Sequence, residues 1–377
     1  MITVGNGHKA PAEAIAAEIE TLYPKKFEIE VPDFTNEVGD HILDKRHKAS
    51  WDWMLSHPKI TFAGQKLLDN FIPAKITRVT QRITLNEHAK NAAEYLKEKN
   101  FDLLVATHFQ NIHALAIAKK KSAINTPLVG ITTDPFDANA MWAQPNVNEM
   151  IVSSNIAKQK LIRHGVAAEK ISIFGYPLGK QFIEIDKSKA EARSELGLDP
   201  VQLTILQSAG GEGIGGQLEG FVEAVLEANL DVQYVIACGR NTDLQNRLKE
   251  KAIQYNGKTK ILPQGFINNM ATWITASDLV LGKAGAASTF EPLSLGRPIF
   301  HTSYASFNEK TNIDWCLEQG IGKYIPEPSQ LVAVLKKYLA NKTELVDLEK
   351  KIAELNIKPG TLDIAKHLIE TYLKSRG

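Results

Sequence analysis

A chain of 377 residues is too long for one ordinary domain and long enough for two α/β domains. Its 44% hydrophobic and 23% charged residues are those of a globular protein, and 44 Lys+Arg against 43 Asp+Glu exclude a generally basic nucleic-acid binder. Cys238 and Cys316 form no metal or redox motif and fit a reducing, cytoplasmic setting; no signal peptide is read, and no apolar run nears the ~20 residues of a bilayer span, so any membrane contact is from the surface.

The chain opens on a glycine turn, Gly5-Asn6-Gly7, followed by His8. Ala10, Ala14, Ile15, Ile19 and Leu22 then recur at helical spacing, which predicts a helix over 9–23. Gly7 lets backbone approach a ligand closely, and the helix start beyond it offers free N–H groups to phosphate. A histidine at such a turn is suited to taking a proton from a hydroxyl; a solvent-facing helix cap is the plainer alternative. Residues 26–34 alternate like a strand and stop at Pro32-Asp33.

Residues 41–99 are the least regular, apart from a helix over 84–99. They hold eleven basic against six acidic residues, with Trp51 and Trp53 in one stretch and Lys75, Arg78 and Arg82 in another. Tryptophan and basic residues together suit an anionic membrane surface; an insertion packing its tryptophans on the core is the alternative.

Short apolar runs at 101–108, 127–134, 149–154 and 170–177, with a helix over 155–164, have the rhythm of an α/β sheet. After a hinge around 178–200 a second series begins. It has strands at 202–211, 232–239, 258–266, 278–285 and 297–303, and helices at 216–229, 242–255, 268–276, 288–295, 309–319, 329–340 and 343–355. Pro359-Gly360 precedes a last helix, 361–375. Ligands of open α/β sheets sit beyond the C-terminal strand ends, where the glycine-rich and polar turns fall here.

Four of those turns carry chemistry. "SAGGEGIGG" (208–216) has five glycines in nine residues and includes Gly211 and Glu212. It lacks the Lys-Ser/Thr of a P-loop. In "CGRN" (238–241) Arg240 suits phosphate oxygens, or a surface ion pair. "GKAGAASTFEPL" (282–293) brings Lys283 and a small-residue helix start, Gly285-Ala286-Ala287, with Glu291 one turn on; its carboxylate suits both hydroxyls of a ribose, or a buried cap. "SFNEKTN" (306–312) supplies Asn308 and Glu309 at another helix entrance.

These stretches in this order, with "TTDPFDANAMW" (132–142), "KISIFGYPLGKQF" (170–182) and "QGFINNMATW" (264–273), resemble the GT-B glycosyltransferases of the monogalactosyldiacylglycerol synthase and processive diacylglycerol glucosyltransferase family, glycosyltransferase family 28 type, over nearly the whole chain. The resemblance implies two Rossmann-like domains facing a cleft. Residues 1–184 would face acceptor and membrane, 185–360 would bind the donor, and 361–377 would return to the first domain. It implies a UDP-sugar donor near Gly7, Gly211, Glu212, Arg240 and Lys283. Phe266 would flank the uracil, Gly285 to Ala287 would hold phosphate, Glu291 would take the ribose, and Asn308 and Glu309 would read sugar hydroxyls. His8 is the implied base, with Asp134 orienting it or supporting the acceptor pocket. Transfer would be inverting, onto a lipid hydroxyl at the inner face of the cell membrane, with no tightly bound cofactor; there is no Asp-x-Asp metal motif.

The sequence departs from the family pattern in two places. Gly179-Lys180 stands where an arginine is usual, and Phe307-Asn308-Glu309 replaces Gly-Gln-Glu, shortening the middle arm by one carbon. The resemblance also puts about five apolar residues before Met1, so the chain is expected to lack most of its first strand. A UDP-N-acetylhexosamine 2-epimerase of similar fold and a non-catalytic UDP-sugar binder are the competing readings.

Overall fold

The computed structural model describes residues 7–57, 60–64, 73–210 and 218–373. The chain divides into two compact units, one of Met1–Lys180, Ala305–Thr311 and Lys358–Gly377, the other of Gln181–Tyr304 and Asn312–Ile357.

The first unit is built on a parallel sheet, β1 (Leu104–Ala106), β2 (Leu128–Ile131), β3 (Glu149–Val152) and β4 (Ile171–Ile173), in that spatial order. β2 and β3 are buried at every position, which is why their sequences are continuous apolar runs without alternation. Helices Asn86–Lys99 and Phe109–Ser122 contribute Ala92, Leu96, Ile112 and Leu115 to a core shared with Leu128 and Met150. In a second core, helix Lys9–Leu22 packs Ile15 and Ile19, and helix Thr361–Tyr372 packs Ile364, Leu368 and Ile369, against Val129, Ile131 and Ile151. The chain enters that last helix through a backbone crossing. Gly360 N donates to Tyr176 O at 3.0 Å, and a Cβ on Gly360 would lie 1.9 Å from Gly175 O.

The strand expected over 26–34 is not there. Residues 27–33 pair with no strand among the described residues and are tied down by side chains, Glu30 accepting from Tyr95 Oη and Lys99 Nζ at 2.8 Å each. A helix, Phe34–Glu37, follows. Alternation alone does not make a strand without a neighbouring edge to complete its ladder. Residues 1–4, the expected strand remnant before the glycine turn, lie outside the described residues. The segment 41–99 is largely helical, with helices His41–Ser56 and Ala74–Thr84 ahead of Asn86–Lys99.

The second unit holds six parallel strands, β5 (Leu203–Ser208), β6 (Val232–Ala237), β7 (Lys260–Gln264), β8 (Leu279–Lys283), β9 (Ile299–Ser303) and β10 (Gly322–Tyr324), in the order β10-β9-β8-β5-β6-β7. The order reverses between β5 and β8, so the switch point lies where β5 runs into Ala209-Gly210 and β8 into Ala284-Gly285. β10 is an edge strand of sequence Gly-Lys-Tyr, with no apolar run to mark it. Part of the expected hinge is packed structure. Helix Lys189–Leu196 begins in a Ser188/Glu191 capping box, and its Arg193 and Lys189 hold Asp278 at 2.7 and 2.8 Å.

Candidate active site

In the first unit the polar residues just past β1 and β2 converge on His8. Its Nδ1 lies 2.9 Å from Thr107 O and 2.7 Å from Thr133 Oγ1, while Thr107 Oγ1 donates back to His8 O at 2.8 Å. A carbonyl oxygen only accepts, so Nδ1 carries the proton and Nε2 keeps its lone pair. Nε2 has no hydrogen-bond partner among the described residues. The ring stands edge-on to His108, centroids 4.5 Å apart, and 6.0 Å from the Trp142 ring. Packed there the imidazolium would lose most of its water, and the pKa falls to about 4 despite the opposing Thr107 carbonyl. At neutral pH His8 is an uncharged imidazole of fixed tautomer, able to accept a proton at Nε2.

Asp134, which the resemblance has either orienting His8 or supporting the acceptor pocket, accepts from Trp142 Nε1 at 2.8 Å and Asn308 Nδ2 at 2.9 Å, both on Oδ2. Burial pushes its pKa up to about 7; Asp137 and Glu309 push the same way, against the two hydrogen bonds. Asp137 is fully buried and paired with Lys160. The loop carrying Asp134 and Trp142 is buttressed by His113, whose Nε2 donates to Met141 O at 2.9 Å and whose Nδ1 accepts from Gln144 at 3.0 Å. Asn308 and Glu309, expected with the donor site, lie in the segment that belongs to the first unit; Glu309 accepts from Ala305 N at 2.6 Å.

In the second unit, Gly285 caps helix Ala286–Ser294 with no side-chain bond, so the first-turn N–H groups at Ala286 and Ala287 are open to an anion. Thr289 and Asn312 fix this turn by donating to Gly285 O and Ala284 O, each at 2.8 Å. Glu291 is half-buried, its carboxylate bonded to no described residue, and burial pushes its pKa up to about 8. A carboxylate in that state is stabilised by any ligand that donates hydroxyl protons to it. Past β6 and β7 the Arg240 guanidinium lies 4.5 Å from the centroid of half-exposed Phe266, an open aromatic face backed by a cation. Lys283 is exposed at the end of β8. Gly211 and Glu212 lie outside the described residues; Gly7 is exposed, with open space where a Cβ would sit.

On the 41–99 segment, Trp53 is half-exposed and stacks on His57 at 4.8 Å. The side chain of Trp51 lies outside the described residues. Lys75 and Arg82 are exposed, whereas Arg78 turns inward, Nη1 donating to His164 O at 2.9 Å. Between them helix Ala74–Thr84 shows solvent an apolar stripe, Ile76, Val79 and Ile83 at i, i+3, i+7, the last 71% exposed. No helix among the described residues is long and apolar enough to cross a membrane, and none of their His, Cys, Asp and Glu side chains cluster in threes as a metal site.

Sequence reasoning missed Thr107, whose backbone carbonyl fixes the His8 tautomer and whose hydroxyl bonds the His8 carbonyl, and Thr133, whose hydroxyl also lies on Nδ1. Their signal was present, since both apolar strands end in threonine before a charged or imidazole residue.

Residues 8–178 match the sequence model of the monogalactosyldiacylglycerol (MGDG) synthase family, and residues 218–359 that of the glycosyltransferase family 28 C-terminal domain. Over 387 residues the chain is 22% identical to the chloroplastic monogalactosyldiacylglycerol synthase of Spinacia oleracea, covering 100% of this chain and 72% of that one. Over 276 residues it is 29% identical to the processive diacylglycerol beta-glucosyltransferase of Staphylococcus epidermidis, covering 73% and 68%. Among solved structures it resembles MurG of Acinetobacter baumannii, a GT-B enzyme, at a TM-score of 0.57 and 14% identity, covering 75% of this chain and 77% of that one. It also resembles a UDP-GlcNAc 2-epimerase of Neisseria meningitidis at 0.53 and 16%, covering 77% and 82%. The pair of Rossmann-like parallel sheets is thus shared by transferases and epimerases, and the sequence matches are to transferases.

Proposed function

We propose that this chain, which belongs to the glycosyltransferases of the monogalactosyldiacylglycerol synthase and diacylglycerol glucosyltransferase type, moves a hexose from a UDP-sugar to the hydroxyl of a lipid such as diacylglycerol, with inversion, at the inner face of the cell membrane. The observation that carries this reading is His8, held neutral by burial and turned by Thr107 and Thr133 so that Nδ1 carries the proton and Nε2 is the basic atom. The acceptor oxygen attacks the anomeric carbon as the bond to the diphosphate breaks. Its proton goes to Nε2, and UDP leaves with the electron pair.

The second unit supplies the donor contacts in this reading. The open first turn at Gly285–Ala287 takes diphosphate oxygens and offsets the leaving group's charge. Glu291 accepts from both ribose hydroxyls, and Phe266 with Arg240 offers a face to the uracil. Incubating the protein with a panel of UDP-sugars and diacylglycerol in anionic vesicles tests the function. Lipid-dependent UDP release with one donor is expected. Donor-independent silence despite UDP binding would rule the transfer out.

The membrane contact in this reading is the stripe of Ile76, Val79 and Ile83 flanked by Lys75 and Arg82, an amphipathic face with apolar residues turned outward. Replacing all three apolar residues with serine should weaken sedimentation with anionic vesicles by at least about ten-fold, from the transfer free energy of three aliphatic side chains. UDP affinity should not change. Undiminished sedimentation would place the contact elsewhere.

A further inference from the structure

We propose that Asp134 is a positioning residue: one carboxylate oxygen ties Trp142 and Asn308 together and thereby fixes residues 305–311 in the first unit. The inference rests on the transferase reading for its effect on turnover and on geometry alone for the contact itself.

Both N–H donors, Trp142 Nε1 and Asn308 Nδ2, reach Asp134 Oδ2 at 2.8 and 2.9 Å, although Asn308 is 174 residues away in the chain. Trp142 is fully buried, so its indole N–H needs an acceptor inside the protein, and Asp134 is that acceptor. The other end of the Asn308 amide faces Asn139, whose Nδ2 donates to Oδ1 at 3.5 Å. One residue earlier, Phe307 packs edge-on to Phe62 at 5.3 Å and beneath Lys160 Nζ at 5.8 Å, and Lys160 in turn holds Asp137. The segment is thus gripped at adjacent residues by the side chains of one loop and two helical stretches, 60–64 and Asn155–Arg163. Asn308 was expected to read sugar hydroxyls; here its amide is spent on Asp134.

The grip depends on charge. Asp134 is opposed by Asp137 on its own loop and by Glu309 on the 305–311 segment; Lys160 balances Asp137, and His8, across Trp142, is neutral. Ionised, Oδ2 accepts two charge-assisted bonds; protonated, it accepts weaker ones. Its pKa of about 7 places this change near neutral pH. The contact therefore tightens as pH rises through 7.

Indole resonances and a residue swap test this together. The protein has five tryptophans, and 15N-tryptophan labelling gives one indole N–H signal each, Trp142 being identified by Trp142→Phe. The Trp142 signal should shift with a midpoint near 7, cease to titrate in Asp134→Asn, and titrate at higher pH in Asn308→Ala, which removes one donor to the carboxylate. A signal flat from pH 5 to 9 and unmoved in both variants overturns the proposal. For turnover, Asn308→Asp sets a second carboxylate against Asp134 and should lower UDP release about ten-fold or more. Asp134→Asn combined with Asn308→Asp restores a donor and an acceptor with their places exchanged, and should recover most of that loss. A folded Asn308→Asp that loses activity with no recovery in the double variant also overturns the positioning role. A parent protein that releases no UDP with any donor sinks the transferase reading instead, and the indole titration still decides the contact.

Discussion

Exchanging His8 for alanine lowers kcat by about 10²–10⁴-fold, the range a positioned general base contributes, and leaves the KM for the UDP-sugar within about three-fold. The size follows from how completely the ring is committed. Nδ1–H is given to Thr107 O and Thr133 Oγ1, so the only basic atom is Nε2, and no described neighbour competes for it. His8→Gln keeps an amide donor for Thr107 but cannot take the proton, and it should be as slow as alanine. Added imidazole should recover part of the rate only in the alanine variant. The pH profile separates this histidine from an ordinary one. The ring is neutral down to about pH 4, so the acidic limb of kcat/KM that belongs to it lies near 4 and not near 6.5. Stability has the same sign. The unfolded chain takes this proton near pH 6.5 and the folded one only near 4, so the contribution is full above 6.5 and is lost as pH falls toward 4. His113 and His301, also lowered to about 4 by burial, act in the same window. An alanine variant that keeps more than about a tenth of the parent kcat would move the base to another residue.

Gly360→Ala should cost the first unit about 3 kcal/mol or more, the upper end of what overpacking does, and lower its melting temperature by roughly 6–12 °C. The φ of Gly360 is −88°, which alanine adopts freely, so the cost is contact and not backbone strain. The new methyl would sit 1.9 Å from Gly175 O and 2.5 Å from Gly175 C. Both atoms are backbone, and no rotamer change can move them aside. Relief means parting the two chain segments. That breaks Gly360 N to Tyr176 O and the exchange in which Thr361 Oγ1 bonds both Leu178 N and Leu178 O, and it lifts Ile364, Leu368 and Ile369 from the sheet. Gly175→Ala should do the same, since its Cβ meets Lys358 O at 2.3 Å. Calorimetry decides it: a Gly360→Ala melting curve superimposable on the parent would mean the two backbones do not meet this closely.

Much of this fold is written in local pattern. The runs at 127–134 and 149–154 show no alternation in their strand portions because β2 and β3 are covered on both faces, and the glycine turns at 208–210 and 282–285 mark the switch point. Three features escape for physical reasons. Residues 26–34 have a strand's alternation, but strandedness is a property of pairs, and Glu30 is satisfied by Tyr95 and Lys99. β10 reads Gly-Lys-Tyr and carries no apolar run, unlike the equally short β1 and β4. Asn308 follows a second-unit strand and looks like a second-unit ligand-reader, yet its acceptor, Asp134, is 174 positions earlier. No window of sequence contains that contact. Within the site, residue types at strand ends were legible, as with His8, Gly285 and Glu291. Which side chain holds which was not, because Thr107 and Asp134 are equally polar neighbours until the hydrogen bonds are drawn.

The crossing at Gly175 and Gly360 also bears on the order in which the protein is made. A chain emerging from the ribosome usually folds its N-terminal domain first. Here the second core of the first unit lacks Ile364, Leu368 and Ile369 until residues 358–373 appear, after every strand of the second unit has been synthesised. Val129, Ile131 and Ile151 wait through that interval with only Ile15 and Ile19 of helix Lys9–Leu22 to cover that face, leaving apolar sheet of the kind chaperones bind. The second unit can close as soon as Ile357 is out. The half of the molecule that is translated first is the half that is finished last.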